Sequence, residues 1–113
     1  MGKESLEEIC MQLIAASGTA KSEFLEALQG KRKGDETASK EHMKAGQEAY
    51  LKAHESHTKL LGREEPFQST LEQLLVMHAE DQMMAAETIS ALATEILACY
   101  DKIEELSKKE NKN

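Results

Sequence analysis

Apolar residues recur along the chain at helical spacing, in three segments separated by two clusters of helix-breaking residues. The pattern predicts helices over residues 5–29, 35–61 and 69–108, followed by a frayed, charged tail. Ser5 and Ser69 each begin a capping box, in which a serine and a glutamate three residues later bond each other's backbone amides. Asp35 is the expected N-cap of the second helix, and Gly62 its expected left-handed C-cap. The predicted fold is an antiparallel three-helix bundle in one all-α domain over residues 1–113.

The third predicted helix carries a heptad seam, a row of core-type positions that alternates steps of four and three residues over about five heptads. The seam consists of Leu71, Leu75, His78, Gln82, Ala85, Ile89, Leu92, Ile96, Cys99, Ile103 and Leu106. A second stripe beside it contains Leu74, Met77, Asp81, Met84, Thr88 and Ala91, so we expect this helix to be buried over a wide arc for part of its length. The third helix should be about 60 Å long and the other two about 40 Å, so one protomer cannot cover it. We therefore expect self-association through the third helix.

Composition and charge narrow the functional classes. The chain has 14 Lys and Arg against 21 Asp and Glu, and a net charge of -7 argues against a nucleic-acid partner. Its apolar runs are far shorter than the roughly 20 residues of a membrane span, and no signal-peptide core follows Met1, so we expect a cytoplasmic protein. Cys10 and Cys99 form neither a disulfide framework nor a metal motif, and we interpret both as core thiols.

His78 is the most informative of the four histidines. It occupies a core-type position of the seam, with Gln82 in the same seam and Asp81 on the adjoining stripe. One interpretation is a polar layer that determines the register or the oligomeric state of the helices. The other is a reactive imidazole in a groove, with one ring nitrogen free to react and the other oriented by a neighbour.

The remaining histidines carry weaker signals. His54 and His57 form a His-x-x-His pair whose spacing is compatible with metal binding, but without a Glu-x-x-His partner we favour neutral histidines bonded between helices. His42 is interpreted as a surface residue, because its neighbours in the chain are polar. The sequence contains no glycine-rich phosphate loop and no Gly-x-Ser-x-Gly motif.

Three parts of the chain carry a resemblance to a known family. They are SGTAKS at 17–22 with EAL at 26–28, AH at 53–54 with TKLL at 58–61, and LLVMHAEDQMM at 74–84, which is the most specific. The sequence resembles the IIA component of the lactose/cellobiose (chitobiose) family of the bacterial sugar phosphotransferase system, from about residue 4 to residue 106.

The resemblance implies a phosphocarrier. His78 would accept a phosphoryl group from HPr, as a tele-phosphohistidine, and pass it to a cysteine of a IIB component. A disaccharide such as cellobiose, chitobiose or lactose is then phosphorylated during uptake through the membrane component IIC. The resemblance further implies three-helix protomers assembled as a homotrimer, with Asp81 on the trimer axis beside a divalent metal such as Mg²⁺.

The chain departs from the family pattern at two positions, where Glu80 and Gln82 replace the common glutamine and histidine. We expect Gln82 to donate a hydrogen bond to a phosphoryl oxygen and Glu80 to point outward. The alternative to a phosphocarrier is a non-catalytic oligomeric helical adaptor, in which His78, Asp81 and Gln82 merely determine register. A third, weaker hypothesis is a metal-binding bundle built on the His-x-x-His pair.

Overall fold

The computed structural model describes residues 4–111, and this part of the chain forms three α-helices and no strand. Helix α1 spans Leu6–Arg32, α2 spans Glu36–Leu61 and α3 spans Thr70–Asn111. Helix α1 packs against both other helices, whereas α2 and α3 contact each other less. The prediction of three helices is confirmed, and their arrangement is compatible with the predicted bundle. No helix within residues 4–111 has both the length and the apolar character needed to cross a membrane.

The first two helices begin at the predicted caps. Ser5 Oγ accepts a hydrogen bond from the Glu8 amide at 3.1 Å, and Glu8 Oε2 accepts one from the Ser5 amide at 3.3 Å. Asp35 Oδ1 accepts from the amide of Ala38 at 3.0 Å. These bonds satisfy backbone amides that the first helical turn leaves without partners, so the chain enters each helix at the residue that the sequence predicts.

The start of α3 and the end of α2 differ from the predicted caps. Ser69 Oγ accepts from the Glu72 amide at 3.2 Å, but Glu72 Oε1 accepts from the amide of Gln68 at 2.9 Å, so the predicted capping box of α3 is not reciprocal. Gly62 has a φ of -81°, and the prediction of a left-handed cap there is wrong. The last turn of α2 tightens instead, since the Arg63 amide donates to the carbonyl of Leu60 at 3.3 Å.

Helices α1 and α3 both continue past their predicted ends. The turn after α1 is made at Gly34, whose φ of 84° lies in the left-handed region, and the Asp35 amide donates to the carbonyl of Gly30 at 2.8 Å. This Schellman arrangement moves the end of α1 from 29 to Arg32. The charged tail remains helical as far as Asn111, and the last two residues of the predicted frayed tail lie outside the described range, as do residues 1–3.

Lys31 connects the three helices at the end of the bundle that contains the turn between α1 and α2. Its Nζ atom lies 2.6 Å from Glu36 Oε2 of α2 and 2.5 Å from Asp101 Oδ1 of α3. The hydrogen bond with Asp101, and then the one with Glu36, raises the pKa of Lys31 above its usual value. The Lys31 side chain is only 7% exposed, so its alkyl stem contributes packing as well as charge.

The core is built mainly from α1, with a narrow contribution from α3. Phe24 is the largest fully buried side chain, and it packs directly on Gly46 of α2, where an added Cβ atom would lie 2.7 Å from the ring carbon Cε1. The buried residues of α3 are Val76, Ala79, Met83, Ala86 and Ala93. This stripe is neither the heptad seam nor the second stripe of the sequence analysis, so most of those two rows face away from α1 and α2.

Much of the heptad seam is uncovered in the protomer, as the length of the third helix predicted. Leu71 is 74% exposed and Ile103 61% exposed, and Cys99 is exposed as well. On the second stripe Met77 is 61% exposed, so the expected wide buried arc is wrong for the protomer. Cys10 is fully buried as predicted, but the interpretation of Cys99 as a core thiol is wrong for the protomer, because α1 and α2 pack on another face of α3.

Candidate functional site

The polar residues predicted at the middle of α3 lie together on one side of that helix. His78 and Asp81 are exposed, and Gln82 is half-buried. His78 and Gln82 are four residues apart and therefore neighbours on one helix face, while Asp81, three residues after His78, lies beside them on the exposed second stripe. The imidazole is open to approach from outside the protomer, which a nucleophile that exchanges a group with other proteins requires.

A residue of α1 completes this surface, and the sequence analysis did not single it out. Lys21 Nζ donates a hydrogen bond to Gln82 Oε1 at 2.8 Å, and both side chains are half-buried. The two residues are 61 positions apart in the chain. The one sequence signal that included Lys21 was the SGTAKS segment at 17–22, in which nothing marked the lysine as a partner of α3.

Glu80 points away from His78, as expected, but it faces α2 instead of pointing outward into solvent. Its Oε2 atom lies 3.4 Å from His57 Nε2, and the carboxylate is half-buried between the helices. Two residues along a helix correspond to a rotation of about 200°, which places Glu80 on the opposite side of α3 from His78. The negative charge of Glu80 is therefore directed away from the His78 surface.

The His-x-x-His pair of α2 does not converge on one point. His57 contacts Glu80 between α2 and α3, as the interpretation of bonded histidines predicted. His54, by contrast, is exposed, and its ring centroid lies 6.2 Å from that of Tyr50. Across residues 4–111, no group of three or more His, Cys, Asp or Glu side chains is arranged to hold a metal ion within one protomer. The structure thus gives no support to a metal site built on this pair.

His42 belongs to the contact between α1 and α2. Its Nδ1 atom lies 2.6 Å from Glu23 Oε2, and its Nε2 atom lies 4.0 Å from Glu26 Oε2. The hydrogen bond with the Glu23 carboxylate is the largest cause that raises the pKa of His42 above its usual value. His42 is half-buried, so the interpretation as a surface residue holds only in part, and its partners lie on α1 rather than on α3.

Comparisons with known proteins identify one family over most of the chain. The family model for the lactose/cellobiose-specific IIA subunit of the phosphotransferase system (PTS) matches residues 8–101. The lichenan-specific phosphotransferase enzyme IIA component of Bacillus subtilis (strain 168) is 33% identical over 102 residues, which cover 90% of this chain and 93% of that protein. No solved structure matched the chain.

Two further relatives are named for other sugars. The PTS N,N'-diacetylchitobiose-specific EIIA component of Escherichia coli (strain K12) is 33% identical over 100 residues, which cover 88% of this chain and 86% of that protein. The PTS lactose-specific EIIA component of Staphylococcus aureus (strain N315) is 27% identical over 100 residues, which cover 88% of this chain and 97% of that protein. The chain therefore belongs to the lactose/cellobiose-specific IIA family of the sugar phosphotransferase system and is a phosphotransferase component.

Proposed function

We propose that the protein accepts a phosphoryl group from HPr on His78 and passes it to a cysteine of a IIB component. The transfer serves the uptake and phosphorylation of a disaccharide such as cellobiose, chitobiose or lactose, and the protein works in the cytoplasm, connected to the membrane only through IIC. The observation that carries the proposal is the exposed imidazole of His78 on a helix face that also presents Asp81 and Gln82, in a chain of the IIA family.

The proposed function requires two phosphoryl transfers, and in each of them one bond to phosphorus forms while another breaks. A nitrogen of His78, which we assign as Nε2, attacks phosphorus while the bond between phosphorus and the donor breaks. In the second exchange a thiolate of IIB attacks the same phosphorus, and the bond to the histidine nitrogen breaks. Gln82, one helical turn away on the same face, donates an amide hydrogen bond to a phosphoryl oxygen. Glu80 does not oppose the negative charge, because it faces His57.

Intact-mass spectrometry after incubation with phosphoenolpyruvate, enzyme I and HPr tests the assignment. The wild-type protein should gain the mass of one phosphoryl group, and His78→Ala should gain none while its far-UV circular dichroism stays helical. His54→Ala, which removes another exposed histidine, is the matched control and should be phosphorylated normally. Phosphorylation of His78→Ala, or its loss in His54→Ala, would contradict the proposal.

We further propose that three copies associate through the uncovered face of α3. The large apolar side chains exposed there are Leu71, Leu74, Met77, Met84, Leu92, Ile96, Ile103 and Leu106. Monomeric proteins rarely expose a row of this extent, and coiled-coil spacing supplies a self-complementary surface. Multi-angle light scattering should report the mass of a trimer, and a monomer or dimer at micromolar concentration would contradict the association. A trimer that takes up no phosphoryl group would instead be the helical adaptor.

Asp81 is the residue that we propose for the shared metal. It is exposed on the same face as Met77 and Met84, and its carboxylate provides the oxygen ligands that Mg²⁺ prefers. One protomer supplies a single such carboxylate there, whereas threefold association would bring three together, and these repel unless a cation or protons compensate their charge. Asp81→Leu should therefore abolish the response of trimerisation to chelator and to pH in sedimentation experiments. Identical behaviour of both proteins would place Asp81 away from the axis.

A further inference from the structure

Lys21, which bonds to Gln82 on the His78 face of α3, is a cation that is not paired with a carboxylate of the described residues. Among residues 4–111, Gln82 is the only hydrogen-bond partner of Lys21, and the ammonium group forms no ion pair. Lys31 and Lys59, by contrast, each bind a carboxylate at 2.8 Å or less. Lys21 is also half-buried, so its charge is held against the helices instead of extending freely into solvent. An uncompensated, partly buried cation beside a nucleophile favours a negatively charged group at that place.

The bond between Lys21 and Gln82 determines which end of the glutamine amide is free. An ammonium group can only donate hydrogen bonds, so the amide oxygen of Gln82 must face Lys21 and the Nε2 hydrogens are left for another acceptor. A glutamine without such a partner can turn its amide over and present oxygen, which repels a phosphoryl oxygen. The ability of Gln82 to donate toward His78 therefore depends on a group that sets the orientation of its amide.

We propose that Lys21 is a positioning residue for phosphoryl transfer, which acts by holding the amide of Gln82 with its hydrogens available to the phosphoryl group on His78. The positive charge of Lys21, at the far side of that amide, further favours the doubly charged group over the free imidazole. This inference rests on the proposed function, since it assigns a role only if His78 carries a phosphoryl group.

A double-mutant cycle on the initial rate of phosphorylation by phospho-HPr tests the inference. Lys21→Met should slow the transfer by about three- to tenfold, which corresponds to the loss of one hydrogen bond. Lys21→Arg, which also donates and keeps its charge, should restore most of the rate. Lys52→Met removes an exposed lysine of α2 and should leave the rate unchanged.

The combined variant distinguishes positioning from an independent effect. If Lys21 acts mainly through Gln82, most of the rate loss caused by Lys21→Met should disappear in a Gln82→Leu background, and only the smaller effect of its charge should remain. Fully additive losses would overturn the proposal. A Lys21→Met variant as fast as the wild type would overturn it as well.

A spectroscopic readout separates this proposal from the proposed function. The side-chain amide signals of Gln82 in the ¹H–¹⁵N spectrum of the unphosphorylated protein should shift in Lys21→Met and stay close to their wild-type positions in Lys52→Met. Unchanged signals in Lys21→Met would show that Lys21 does not hold the amide and would overturn the positioning role. A wild-type protein that takes up no phosphoryl group would instead overturn the proposed function, even where the amide signals behave as expected.

Discussion

Replacing Gly46 with alanine should destabilise the protein, although alanine is the better helix former. Gly46 lies inside α2, where the ring of Phe24 from α1 packs on its backbone. A Cβ atom at position 46 would lie 2.7 Å from Cε1 and 2.8 Å from Cδ1 of that ring. Carbon atoms pack at about 3.5–4.0 Å, so the ring or the two helices must separate by about 0.8 Å. Phe24 is fully buried, and its ring cannot move alone.

Two effects of opposite sign determine how much Gly46→Ala changes the free energy of unfolding. Glycine to alanine in a helix interior raises the free energy of unfolding by about 1 kcal/mol. Overpacking a well-filled core lowers it by about 1–3 kcal/mol. The expected net change for Gly46→Ala is thus a loss of up to about 2 kcal/mol. Gly18→Ala is the matched control, because a Cβ atom at this position of α1 meets nothing within 4 Å, and it should gain about 1 kcal/mol.

Urea unfolding followed by far-UV circular dichroism measures both variants. All proteins must be compared at one protomer concentration, since the stability of an oligomer depends on it. The difference between Gly18→Ala and Gly46→Ala isolates the clash and should amount to about 1–3 kcal/mol. A Gly46→Ala protein at least as stable as Gly18→Ala would refute the reasoning. Adding Phe24→Leu should reduce the cost of Gly46→Ala, because a smaller side chain then faces the new methyl group.

Three further predictions concern groups outside the proposed phosphoryl site. Ser17 is fully buried and its hydroxyl has no hydrogen-bond partner within residues 4–111, so Ser17→Ala should raise the free energy of unfolding by about 1 kcal/mol. A lower urea midpoint would show that the hydroxyl is bonded in solution. The raised pKa of His42 means that its charged pair with Glu23 stabilises the fold below about pH 6.5 and that this contribution is lost as pH rises through the folded-state pKa. His42→Gln should therefore lower the melting temperature more at mildly acidic than at mildly basic pH, and equal losses at both would contradict the pairing. Because Cys99 is exposed on the seam while Cys10 is buried, mild oxidation of the proposed trimer should produce disulfide-linked dimers on denaturing gels, and their absence would argue against seam packing at that level.

Local sequence signals were sufficient for several interactions that span one helical turn, although not for the caps predicted at Ser69 and Gly62. The capping box at Ser5 and the cap at Asp35 form as predicted, because each bond joins residues three positions apart. The same holds for the grouping of His78, Asp81 and Gln82 on one side of α3, which helical periodicity alone requires. The alternation of apolar positions likewise predicted a third helix too long for one protomer to cover.

Only the packing of the helices decided the remaining features. Several rows of residues along α3 are apolar, and the row that packs on α1 is the one whose side chains allow close approach. The small residues Ala79, Ala86 and Ala93 lie in that row, so it is buried and the larger side chains of the seam stay outside. Lys21 meets Gln82 only because α1 and α3 align at one register, and no interval within the sequence encodes a contact between residues 61 positions apart.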